Sequence, residues 1–384
     1  MRSIEILDRL IAFPTVARSP NIELIAYCRD ILDAVGVAST LVESADGKQA
    51  NLYATIGPTD RPGVMLSGHT DVVPVEGQAW SVDPFKLTEK DGKFYGRGAA
   101  DMKGFVACAL AAAEQAARRD LATPLHLALS YDEEIGCVGV RSLIDMLEGA
   151  PIRPRFCIVG EPTTLAVATG HKGKTDLRGV FTGKEAHSAL APTGVNAIYM
   201  AAEFIEAVRR MQAEIVESGP KDGDYDVPYT TLHVGKIQGG VALNIVPNRC
   251  EIAFEIRSLA EDDPASHLER MRVEAGLVAA QAHRVSLDAG VEISVTNTYP
   301  GLDTPPSSEV VSFVKQLTGA NGTIKVAFGT EGGMFQERLG VPTVVCGPGS
   351  MAQGHKPDEF VAREQLERCD AMLAELLSQL ERGI

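Results

Sequence analysis

Two histidines and five carboxylates stand where a pair of divalent ions could use them: His69, Asp71, Asp101, Glu133, Glu134, Glu161 and His355. Each lies at or near the end of an apolar run or in a glycine-rich turn. The segments read Ser67-Gly68-His69-Thr70-Asp71, Gly96-Arg97-Gly98-Ala99-Ala100-Asp101, Asp132-Glu133-Glu134-Ile135-Gly136, Gly160-Glu161-Pro162 and Gly354-His355-Lys356-Pro357. Imidazole nitrogens and carboxylate oxygens suit zinc-like ions, and a carboxylate left unligated can serve as a base. His69 and Asp71 are two residues apart, so on extended backbone both side chains point the same way. One imidazole nitrogen can then take a metal while Asp71 accepts from the other or steers it through a neighbour. Asp101 can bridge two ions, one oxygen to each. In Glu133-Glu134 one carboxylate can ligate while the other faces the attacking water. Pro162 biases Glu161 toward extended backbone, which holds its carboxylate at a strand end.

Taken singly, each of these residues has an ordinary alternative. His69 could be a satisfied histidine at a strand end, and Asp101 could cap the helix that follows it. Glu133-Glu134 and Glu161 could be solvated loop acids, and His355 an exposed loop histidine. Their conjunction is what points to a two-metal hydrolase.

The elements that must position these groups show in the apolar pattern. Segments 51–56, 63–68, 125–130 and 155–160 read as strands, several of them continuously apolar as in a sheet buried on both faces. Helices are expected over 107–119 (Ala-rich) and 140–148. This is an α/β pattern with a mostly parallel sheet, in which ligands bind at the carboxyl ends of strands. His69, Glu133, Glu134 and Glu161 fall at such ends. The rhythm changes near Lys174: strand 176–182, helix 194–218, strands 230–237 and 250–257, helix 264–283, strand 291–297. The order β-α-β-β-α-β is that of a ferredoxin-like α+β sandwich. Residues 299–306 read as a linker back, followed by helix 308–317, strands 325–328 and 342–346 and a last helix over 362–380. The expected organisation is therefore a catalytic domain of residues 1–175 and 299–384, with 176–298 inserted into it.

Bulk properties exclude several classes. A chain of 384 residues suggests two or three domains at ~150 residues each. Hydrophobic residues make up 45% and charged residues 23%, an ordinary globular balance. No run of ~18 apolar residues predicts a membrane span, and the N-terminus reads as an amphipathic helix rather than a secretory signal. A net charge of −15 argues against binding nucleic acid. The seven cysteines are scattered, with no C-x-x-C pair, which fits reduced thiols in a cytoplasmic protein.

The metal-site segments strongly resemble the M20 metallopeptidase family, over nearly the whole chain including the inserted part. The resemblance implies one zinc on His69, Asp101 and Glu161 and a second on Asp101, Glu134 and His355, with Co²⁺ or Mn²⁺ as possible substitutes. It implies Glu133 as general base, Asp71 as the partner of His69, and a non-proline cis peptide after Asp101. The inserted part resembles the family's lid and dimerisation module. There Lys184-Glu185-Ala186-His187-Ser188 matches the segment whose histidine stabilises the oxyanion, from its own or a neighbouring subunit. Asn244 and Arg257 are implied substrate contacts, Arg257 gripping a carboxylate. Relatives often place a proline soon after this arginine, whereas here it waits until Pro264.

Within the family, the segments 328–335 and 347–360 resemble the acetylornithine deacetylases. The resemblance thus implies hydrolysis of N2-acetyl-L-ornithine to L-ornithine and acetate in arginine biosynthesis, by a cytoplasmic homodimer with no nucleic-acid or membrane partner. Desuccinylase, dipeptidase or other N-acyl amino acid deacylase activity is the alternative within the family. Outside it stand a metal-free binding homologue and a nucleotide-binding α/β enzyme. The latter rests only on the glycines near Asp101, whose spacing fits no phosphate loop.

Overall fold

The computed structural model describes all 384 residues. The chain forms two compact units, Met1–His171 with Leu302–Ile384, and Lys172–Gly301. Sequence pattern put the joins after 175 and 298. The units divide a few residues outside those points because strand pairing starts earlier: Lys174 and Thr175 already pair with Arg257 and Ile256, and Lys174 also pairs with Tyr299.

The first unit is built on a nine-stranded mixed sheet. Its spatial order is Ser39–Glu43, Ala50–Ile56, Leu125–Ser130, Val64–His69, Phe156–Pro162, Thr343–Gly347, Ala168–His171, Leu302–Asp303, with Ile324–Val326 also pairing with Ala168–His171. The four strands from Leu125–Ser130 to Thr343–Gly347 are mutually parallel, while the first two strands and Leu302–Asp303 pair antiparallel. Every residue of those four strands is buried. That is why they read as unbroken apolar runs rather than as alternation.

The Ala-rich helix runs Lys103–Ala116, earlier than the expected 107–119, and packs against the central strands. Helices Arg2–Ile11 and Arg363–Arg382 pack against it in turn. Small side chains let the helix approach the sheet closely. At Gly160 a Cβ would overlap the Phe105 ring, so only glycine fits between that helix and the residue before Glu161.

The second unit has the strand-helix-strand-strand-helix-strand order expected of a ferredoxin-like sandwich. Its antiparallel sheet runs Thr231–Gly239, Arg249–Ser258, Gly173–Thr182, Gly290–Tyr299. Helix Ala197–Ser218 begins where the Asn196 side chain accepts from the backbone N–H of Ile198 and Tyr199, and Pro264–Ala282 follows an Asp263 cap. A separate apolar core fills this unit, with Phe204 against Phe181 and Phe254 at 5.7 Å each. No helix of the chain is long and apolar enough to cross a membrane.

Candidate metal centre

The four adjacent parallel strands deliver the candidate site at their carboxyl ends. Val64–His69 ends on His69, and Phe156–Pro162 carries Glu161 at its end. The turn after Leu125–Ser130 holds Glu133 and Glu134, and the loop after Thr343–Gly347 holds His355. Asp101 arrives from a glycine turn in which Gly98 has φ +83°. The Asp101–Met102 peptide is cis. Asp101 does not cap the helix, which starts at Lys103 after Met102 with no side-chain cap.

Its carboxylate faces two imidazoles instead. Oδ1 lies 3.1 Å from His69 Nε2, and Oδ2 lies 3.3 Å from His355 Nε2. Glu161 is 3.5 Å from His69 Nε2, and Glu134 is 3.0 Å from His355 Nε2. Donor atoms of His69, Glu133 and Glu161 lie within 4.8 Å of one another, as do those of His69, Asp101 and Glu134. Distance alone therefore does not single out Glu133 as the unligated carboxylate. A thiol does touch it: Cys137 Sγ is 3.4 Å from Glu133 Oε1.

Asp71 sits differently from a simple imidazole partner. His69 Nδ1 is 3.0 Å from the Asp71 carbonyl oxygen, and the carboxylate is farther, at 3.5 Å. The two carboxylate oxygens accept the backbone N–H of Glu133 and Glu134, each at 3.1 Å. Asp71 thus fixes the turn that carries the acid pair.

Electrostatics describe a cluster rich in negative charge and short of cations. Burial raises the Glu133 carboxyl well above its usual value, with Glu134, Glu331 and Asp71 adding to the rise. Burial and Asp101 push Glu134 to about 7 and raise Glu161 well above the ordinary range. The imidazoles shift upward too, which favours their charged form. Burial would lower His69, but Glu161, Asp101 and Asp71 outweigh it and hold the ring well above its usual value. Hydrogen bonds to Asp101 and Glu134 lift His355 to about 10. Asp101 is held below the carboxylate range despite its burial, because both imidazoles bond to it. Buried carboxylates of this density need compensating cations. The donor set of imidazole nitrogens and carboxylate oxygens suits a borderline divalent ion, so these residues fit a metal pair.

Glu331 escaped the sequence reading. It is 1% exposed, and its carboxylate accepts from Ser130 Oγ at 2.5 Å and Ser67 Oγ at 3.3 Å. Burial pushes its carboxyl to about 7. Its setting among Thr330, Gly332 and Gly333 gave no sign of burial.

The remaining candidates belong to the second unit. His187 accepts from Ala189 N through Nδ1 at 3.1 Å, and Ser188 N donates to the Asn244 carbonyl at 3.0 Å, so His187 and Asn244 stand on neighbouring segments. Arg257 is partly buried, with Nε 3.2 Å from the Glu255 carboxylate.

Known proteins resemble the chain over nearly its whole length. An acetylornithine deacetylase of Myxococcus xanthus is 36% identical, over 98% of this chain and 97% of its own. One from Pasteurella multocida is 34% identical, over 99% and 98%. The crystal structure of an M20 family metallo-carboxypeptidase from Sulfolobus solfataricus superposes with a TM-score of 0.80 at 20% identity, covering 100% of both chains. The profile of Peptidase family M20/M25/M40 matches residues 65–379, the span that carries every metal-site candidate from His69 to His355, and the chain belongs to that family.

Proposed function

We propose that this chain is a dinuclear-metal amidohydrolase that removes the acetyl group from N2-acetyl-L-ornithine, giving L-ornithine and acetate in arginine biosynthesis. The observation that carries the reading is the Asp101 carboxylate with one oxygen toward each of two imidazoles. Full-length similarity to acetylornithine deacetylases supports the choice of substrate. His69, Asp101 and Glu161 would hold one ion and Asp101, Glu134 and His355 the other, with zinc as the expected metal. Bound there, the ions supply Lewis-acid polarisation and make water a better nucleophile at neutral pH.

The chain's own groups do the rest. Glu133 takes a proton from the water that attacks the acyl carbon. As the C–N bond breaks, Glu133 returns that proton to the departing amine. Asp71 keeps the Glu133-Glu134 turn in place through its two backbone contacts. His187 is assigned to stabilising the oxyanion, and Asn244 and Arg257 to gripping the substrate, Arg257 through its carboxylate. The second unit is assigned the lid and homodimer roles. A cytoplasmic setting is part of the same reading, and seven buried cysteines with no disulfide fit it.

The test is Glu133→Gln assayed with N2-acetyl-L-ornithine beside a panel of other N-acyl amino acids and dipeptides. The variant is expected to retain two equivalents of metal and to lose about 10²- to 10⁴-fold in kcat. An active variant refutes the base assignment, and faster turnover of another compound by the wild-type enzyme refutes the substrate.

A further inference from the structure

Arg97 and Glu359 form an ion pair in which each side chain is only 1% exposed, with Arg97 Nη1 donating to Glu359 Oε2 at 2.6 Å. The proposed chemistry makes no use of it. Burying such a pair costs desolvation that the attraction between the charges barely offsets, so stability alone is a weak account of it.

Its contacts suggest another role. Glu359 Oε1 accepts the backbone N–H of Ala100 at 2.9 Å and of Asp101 at 3.0 Å. Arg97 reaches the other way. Its Nη1 also donates to the Lys356 carbonyl at 3.3 Å, and Nη2 donates to Gln78 Oε1 at 2.5 Å. Gln78 Nε2 then donates to the His355 carbonyl at 2.9 Å. Trp80 Nε1 donates to the same Gln78 oxygen at 3.1 Å, and its ring lies 5.0 Å from the Arg97 guanidinium. One run of hydrogen bonds thus joins the main chain at Asp101 to the main chain at His355.

The His355 loop needs such support. His355 and Asp358 have φ of 60° and 56°, a region that costs non-glycine residues energy. The His355 side chain is 52% exposed, so packing does little to hold it.

We propose that Arg97, Glu359 and Gln78 form a positioning clamp that holds Asp101 and His355, from distant parts of the sequence, in register to share one cation. The inference rests on reading Asp101 and His355 as metal ligands. None of the three clamp residues is among the proposed metal ligands or substrate contacts. Their effect is on the geometry, and so on the affinity, of the ion between Asp101 and His355.

The experiment titrates metal-free, full-length protein with Co²⁺, followed by calorimetry and by visible absorption. It compares wild type, Gln78→Ala, Glu359→Gln and His355→Ala. In Glu359→Gln the amide keeps an acceptor for the two N–H groups but turns donors toward Arg97. His355→Ala identifies the binding event that depends on this histidine. Both clamp variants are expected to weaken that event by about 10- to 100-fold and to shift its Co²⁺ absorption bands, with the far-UV circular dichroism unchanged. If His355→Ala loses the event while Gln78→Ala titrates like wild type, the clamp is overturned and the ligand reading stands. If His355→Ala itself titrates like wild type, the ligand reading fails and the clamp fails with it. Should Glu359→Gln not fold, Gln78→Ala decides, because that side chain is only partly buried.

Discussion

Histidine charge in this protein is set by what shares the ring's pocket. His69 and His355 lie among carboxylates and are pushed up. His126 has no carboxylate near it, and burial alone lowers it to about 4. Its Nδ1 is 2.9 Å from Thr55 Oγ1, its ring stacks on Tyr53, and its buried Nε2 has no partner. The folded state therefore resists a proton that the unfolded chain accepts near pH 6.5. The sign follows: between about 6.5 and 4 the unfolded state binds more protons, so stability falls as pH falls through that window and is flat above it. The full effect is on the order of 3 kcal/mol. His126→Phe, which keeps a ring against Tyr53, is expected to remove this part of the acid loss. Urea unfolding at pH 7.5 and pH 5 measures it, and an equal loss in the variant would place the acid sensitivity elsewhere. Glu331 illustrates the opposite sign: with its carboxyl raised to about 7, it withdraws stability as pH rises from about 4.5 toward 7.

Single elements owe their placement to a few polar contacts that sequence pattern does not reveal. Helix Arg2–Ile11 was legible from Ile4, Leu7, Leu10 and Ile11 on one face. What docks it was not. Lys103 is fully buried, and its Nζ donates to the carbonyls of Leu10 at 3.0 Å and Phe13 at 2.7 Å, a second donor to each beside the backbone N–H of Phe13 and of Thr15. Lys103→Met is expected to remove the side-chain donor that ties both carbonyls to helix Lys103–Ala116 and to destabilise by about 1–3 kcal/mol. Amide exchange in Arg2–Ile11 should quicken more than in Leu125–Ser130; uniform protection along the helix would show that apolar packing alone holds it. The same contrast runs through the chain. The central strands were legible because continuous apolar runs have few alternatives. The edge strand Ser39–Glu43 is mostly half-exposed, and the Thr88–Lys90 and Lys93–Tyr95 hairpin has three residues per strand, so neither carries a period. Helix Ile22–Asp33 carried the right spacing in Leu24, Ile25, Cys28 and Ile31 but was not assigned. Candidate ligands were legible where a ligand type stood at a strand end. Glu331, Gln78 and the function of Glu359 were not, because burial and main-chain contacts depend on the whole fold.

The whole molecule carries a net charge of −15, and several of its acids are concentrated in one buried cluster of the first unit. Asp101, Glu133, Glu134 and Glu161 repel one another there, and two imidazoles offer limited compensation. Cations bound to such a cluster stabilise the fold that assembles it, by about 4 kcal/mol at a free concentration 1,000 times the dissociation constant. Each unit has its own apolar core, and the candidate ligands all belong to one unit. Chelation should therefore act unevenly. Removing the metal is expected to speed amide exchange at the carboxyl ends of Val64–His69, Phe156–Pro162 and Thr343–Gly347 and in the loops carrying Asp101 and His355. Exchange in the second unit's helices, Ala197–Ser218 and Pro264–Ala282, should stay the same. The measurement is hydrogen exchange of the full chain with and without chelator. Equal acceleration in both units would mean that cation binding is not confined to the carboxylate cluster, and slower exchange around Asp101 would mean that the acids there need no cation at all.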